Sequence, residues 1–114
     1  MTILQILQYI GLILSILAGL VSLLAPLAVQ DFTGLSVPGA RGLSEIRAIL
    51  GGTFIGLGLA PFVFNTPAAY QAVGLTYICI ALSRLASIFM DRSFAASNIA
   101  SLIVEALVGV ILLL

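Results

Sequence analysis

Residues 98–114 read NIASLIVEALVGVILLL, a hydrocarbon-like run with one carboxylate, Glu105, near its middle. A helix of this composition has nowhere to put an acid except against other protein. The chain as a whole explains why. Of its 114 residues, 62% are apolar and only 7% charged, where an ordinary soluble domain carries about 25% charged residues. All four basic residues are Arg, and there is no His. So little charge cannot cover a water-soluble bundle, so lipid must solvate most of the surface.

The same numbers exclude other classes. Net charge is zero, leaving no basic field for nucleic acid. Without His the commonest metal and haem ligand is missing, and Cys79 is the only cysteine. Neither a nucleophile–base constellation nor a metal-ligand set is visible, so the expectation is no enzyme and no cofactor. Cys79 reads as a small packing residue. The first apolar run has no basic start and is longer than a signal h-region of roughly 7–15 residues, so it reads as a retained membrane span.

Four apolar segments emerge, Ile3–Val29, Ser44–Phe64, Pro67–Met90 and Phe94–Leu114. Each is long enough as a helix to cross a hydrocarbon core of about 30 Å. Between them lie a Gly/Pro/Ser loop (Gln30–Gly42), the tight Asn65-Thr66-Pro67 connection and the Asp91-Arg92-Ser93 turn. Pro67 is placed to start the third helix, Ser93 to cap the fourth, and Ser44 to cap the second with Glu45 at its positive end. Short connections predict an all-α, antiparallel up-down-up-down bundle in a single domain, residues 1–114.

One end of this bundle, end A, holds both termini and the Asn65–Pro67 turn. The other, end B, holds the long loop and the Asp91–Ser93 turn. Asp31, Arg41, Glu45, Arg47, Asp91 and Arg92 fall at or near end B, and end A carries no charged side chain. The positive-inside rule then puts end B in the cytoplasm and both termini outside. For the loop, a plain surface crossing is preferred over a fold back across the bundle that covers the polar cluster, with Arg41 binding a lipid phosphate. Most aromatic residues fall near helix ends, as an interfacial belt would.

On the fourth helix Ser97, Ser101, Glu105 and Gly109 recur every four residues and share one face. Matching small faces stand on helix one (Gly11, Ser15, Gly19, Ser22), helix two (Ala48, Gly52, Gly56, Ala60) and helix three (Cys79, Ser83, Ser87, beside Arg84). Small residues let helices approach closely in lipid. Arg84 lies about 10 Å below end B and Glu105 about 16 Å. Side chains lean toward their own helix N-terminus, so these two lean toward each other. A lone charge at mid-bilayer costs about 2.5–3.5 kcal/mol on insertion scales, which pairing relieves. An Arg84–Glu105 contact inside the bundle is therefore expected, with Glu45 and Arg47 extending it toward end B. It reads either as a device that fixes helix register or as a ligand or proton site.

The motifs Asp31-Phe32-Thr33-Gly34-Leu35 and Ser44-Glu45-Ile46-Arg47-Ala48, the latter with Gly51-Gly52 just beyond it, together with Ser83-Arg84-Leu85 and Glu105, resemble a bacterial family of small four-helix integral-membrane proteins of unknown function. That family is similar in architecture to the DoxX-like membrane proteins. The resemblance spans nearly the whole chain and implies a fold, a location in the bacterial inner membrane, and polar sites at Arg84 and Glu105. It implies no activity. Some DoxX-like relatives are associated with quinone-linked sulfur oxidation, for which this chain shows no motif.

Three functions stay open, in order of preference. The first is a structural or accessory protein that packs against itself or a larger membrane complex. The second is a binder of a lipid, quinone or other apolar molecule at the Arg/Glu cluster. The third is an oligomeric transporter or proton pathway.

Overall fold

A computed structural model describes all residues, 1–114, and is helical throughout with no strand. We number the helices α1 (Ile3–Leu24), α2 (Pro26–Thr33), α3 (Ala40–Phe64), α4 (Pro67–Met90) and α5 (Ala96–Leu113). All but α2 are long and apolar enough to cross a membrane. Helix α1 packs against α3 and α5, and α4 against α5 and α3, which closes a four-helix ring. The connections make it antiparallel.

Local chemistry sets the boundaries. Thr2 and Gln5 form a reciprocal capping box at the start of α1. Pro26 offers no N–H, so the first apolar run breaks at Ala25 and does not continue to Val29 as expected. The chain restarts as α2, which ends on Gly34 at φ 75°, a left-handed residue that glycine adopts without strain. The true loop is therefore short, residues 34–39. At the other end, Asn65 takes a left-handed φ of 49° and its N–H donates to the Pro61 carbonyl, and Thr66 then caps α4.

Two expected caps are corrected. Helix α3 begins at Ala40, not Ser44, so Ser44 lies within the helix and caps nothing. Helix α5 begins at Ala96 with Ala95 in the cap position, and Ser93 instead accepts from the Asn98 amide. A third difference is that Ile46–Gly51 form a π-helical turn within α3. Such a turn inserts an extra residue and rotates the remainder of the helix about its axis.

That rotation changes which small residues pack. A Cβ on Gly19 would lie 2.6 Å from the Gly51 carbonyl, and one on Gly58 would lie 2.6 Å from the Leu12 carbonyl. Helices α1 and α3 thus cross on Gly19, Gly51 and Gly58. Gly74 and Gly109 do the same for α4 and α5, where a Cβ on Gly74 would sit 3.0 Å from the Gly109 carbonyl. Gly52 and Gly56, expected at a helix interface, have nothing within 4 Å of their Cβ positions and face outward.

Only 20 of 114 residues are buried, and the outer surface is Leu, Ile, Val and Phe. Water could not solvate that surface, so its medium is hydrocarbon. The long dimension, 44 Å, matches a bilayer with its headgroup regions, about 40–45 Å. The small core joins Leu12, Val73, Tyr77, Val108 and Leu112. A cavity of about 370 Å³ lined by Gln5, Asn65, Tyr70 and Leu113 shows both terminal helix ends and the Asn65–Pro67 turn at one end of the bundle.

Candidate functional site

Arg84 on α4 and Glu105 on α5 meet. The guanidinium takes the carboxylate through Nε to Oε2 at 2.7 Å and Nη2 to Oε1 at 2.6 Å, the bidentate geometry that suits Arg best. Nη1 donates to Asn98 Oδ1 at 2.9 Å. The Asn98 amide nitrogen in turn donates to the Ser93 carbonyl at 3.1 Å and its hydroxyl at 3.0 Å. Glu105 is buried and Arg84 half-buried. The pair is thus tied by Asn98 to the turn at end B.

A second polar chain crosses the bundle. Tyr77 of α4 donates its hydroxyl to Ser15 of α1, and Ser15 donates to the Phe54 carbonyl of α3 at 2.9 Å. Three helices are thereby joined at mid-span, and no buried side-chain polar atom lacks a partner.

Glu45 and Arg47 do not extend this network. Glu45 pairs with Arg41 one turn earlier on α3, and both are exposed. Arg47 instead donates to the Leu23 carbonyl near the end of α1, a group the break at Pro26 leaves without its helical N–H donor. Arg41, expected as a headgroup ligand, is engaged with Glu45 in this structure.

The other expected packing residues divide. Gly11, Ser15, Gly19 and Gly109 are buried, and Ser97 and Ser101 are half-buried on the Glu105 face, with Ser101 bonded to the Ser97 carbonyl. Gly52 and Gly56 face outward. The packing face expected on the third helix is corrected too: Cys79 and Ser83 are exposed on the outer side of α4 and Ser87 is half-buried.

Arg84 borders empty space on two sides: an open groove of about 530 Å³ along Thr76, Cys79, Ser83 and Ser87 of α4, and more enclosed spaces toward α2. A cavity of about 370 Å³ is bounded by Val21, Val29, Phe32, Leu50, Arg84 and Glu105. A deeper one of about 240 Å³ shares Ala18, Phe32, Phe54, Ser101 and Glu105 with it and reaches Leu14, Val104 and Val108. Toward end B a polar mouth of about 120 Å³ is lined by Thr33, Arg84, Ser97 and Asn98. Phe32 borders all three of these more enclosed spaces, so α2 forms their common wall.

Asn98 is not singled out by sequence reasoning, and Phe32, Phe54 and Tyr77 are read there only as members of an interfacial aromatic belt, whereas Tyr77 and Phe54 pack in the core. Asn98 stands seven residues before Glu105, two helical turns away on the same face, and that spacing was the available signal. Tyr77 gave none, because its partner is a distant serine. Phe32 was hidden by the expectation of a loop.

The architecture is that of a small multi-pass membrane protein with an internal ion pair. The chain belongs to the family described as a domain of unknown function, DUF4345, whose model matches residues 3–114. No curated protein and no solved structure matches it.

Proposed function

We propose that this protein sits in the bacterial inner membrane and binds an amphipathic, largely hydrocarbon molecule in the space beside Arg84 and Glu105. The observation behind this reading is an incompletely used guanidinium against a mostly apolar cavity. Arg carries five N–H donors, and Arg84 engages three of them, leaving two. Ligand sites in membrane bundles take this form, with apolar walls and a few fixed polar groups. End B faces the cytoplasm on this reading, because every exposed Arg lies there. The protein acts as a binder, with no catalytic step assigned.

The test is to purify the wild type and Ala18→Phe from native membranes in mild detergent and extract both with organic solvent. Ala18 borders both apolar cavities, so phenylalanine there fills them. One hydrocarbon-rich compound near one per chain, depleted about tenfold in the variant, is the expected result. Extracts that are identical and match bulk lipid would overturn the reading.

One observation favours a second reading, an accessory or self-associating bundle. Gly52 and Gly56 form an outward small-residue face with no neighbour in the monomer, and such faces join helices in lipid. Crosslinking in native membranes tests it, since Gly52→Leu should abolish a specific crosslinked species.

A further inference from the structure

Resting on the binding reading above, we infer that the occupant is a lipid with an uncharged oxygen head, carbonyl or hydroxyl, which hydrogen-bonds Arg84 while its tail leaves sideways between α1 and α5.

The head group is dictated by the electrostatics. Glu105 already neutralises Arg84 through two hydrogen bonds. No other Arg lines any of the three spaces. An anionic head brought there would lose its hydration and meet a cation whose field the carboxylate has cancelled. A cationic head would likewise lose its hydration and meet a carboxylate whose two oxygens Arg84 already occupies. An uncharged oxygen loses less on desolvation than a charged head and accepts from the guanidinium, whose Nη1 and Nη2 each keep one N–H without a protein acceptor.

Other donors at the two apolar cavities are spent. Ser15 bonds Phe54, Tyr77 bonds Ser15, Ser22 bonds Ala18, Thr33 bonds Val29 and Ser101 bonds Ser97. The head is therefore held at Arg84 and nowhere deeper.

The path of the tail is dictated by the walls. The deeper cavity runs between α1 and α5, where Ala18 and Ala100 leave a gap. Its rim residues Leu14 and Val104 are 46% and 47% exposed, and on this surface exposure means contact with acyl chains. The space is thus open to the bilayer core, so a chain longer than the cavity can extend into it.

Native mass spectrometry of the full-length protein in detergent tests this with three probes sharing an oleyl chain: oleyl alcohol, methyl oleate and oleyl sulfate. The wild type should retain one alcohol or ester per chain at least tenfold more strongly than the sulfate. Glu105→Gln leaves the guanidinium uncompensated and should reverse that order. Leu14→Trp, on the lipid-facing rim, should weaken all three about tenfold and keep their order. Sulfate retained as well as the alcohol by the wild type would overturn the inference and leave the binding reading standing. Retention of none would overturn both. Unchanged retention in Leu14→Trp would overturn the sideways exit. If Glu105→Gln fails to fold, the wild-type ranking and Leu14→Trp decide the matter.

Discussion

Arg84 holds both oxygens of Glu105 from the neighbouring helix, 2.6 and 2.7 Å away. The two residues are 21 apart in sequence and join α4 to α5 across the connecting turn. Removing either partner leaves an unpaired charge in a low-dielectric interior. Glu105→Ala should therefore destabilise the protein by about 3 kcal/mol, at the lower end for a broken buried pair because Arg84 is part-exposed. Arg84→Ala/Glu105→Ala should cost clearly less than the two single changes summed. A double-mutant cycle on detergent-solubilised protein checks this, and strict additivity would show that the pair contributes nothing as a pair.

The glycines separate into two groups with opposite expected effects. Gly19→Ala forces a methyl against the Gly51 carbonyl and the Ile55 backbone, so it should destabilise by about 1–3 kcal/mol. Gly52→Ala and Gly56→Ala meet no neighbour and should stabilise by about 0.5–1 kcal/mol through helix propensity. Thermal unfolding of the three variants checks the order. Destabilisation by Gly52→Ala would mean that its face is packed against something.

The π turn makes a deletion informative. Ile49 is exposed within it. Removing Ile49 should restore an α-helical register while both flanking segments keep their faces. Removing Gly56 should instead rotate the rest of α3 by one residue, about 100°, and lose Gly58 from its contact with α1. Size-exclusion profiles and melting temperatures of the two deletions should show a folded first variant and an aggregated second.

Orientation is open to chemical labelling. In a Cys79→Ser background, Asn65→Cys should react with a membrane-impermeant maleimide on intact spheroplasts. Arg92→Cys should react only after permeabilisation. The reverse pattern would place end B outside and contradict the charge-based assignment. With Cys79 in place and no added cysteine, little labelling is expected in either case, because its thiol faces hydrocarbon.

Much of this architecture was legible in the sequence, for a physical reason. Hydrocarbon solvent requires long apolar helices, and Pro67, Asn65 and the Asp91–Ser93 turn punctuate them plainly. Arg84 and Glu105 could be paired because two charges at similar depth have few alternatives to each other. The break at Ala25 was hidden because hydropathy runs unchanged across it, although Pro26 marked the site. The π turn left no signal, so the small stripe Ala48–Gly52–Gly56–Ala60 was assigned to the interior, whereas the extra residue turns Gly51 and Gly58 inward. Ser93 and Ser44 are good cap residues by type, yet α3 starts a turn earlier at Ala40 and the Ser93 hydroxyl is taken by the Asn98 amide. The cavity beside Arg84 depends on where α2 folds back, which a long-loop reading could not locate.

The most direct measurement is an experimental structure of the protein extracted with its native lipids and never exposed to harsh detergent. Elongated density is predicted beside Phe32, with one end within hydrogen-bond distance of an Arg84 Nη atom and the other passing between Leu14 and Val104. A cavity closed by side chains, or an Arg84 whose remaining N–H groups are all taken by protein, would contradict lipid binding at this ion pair.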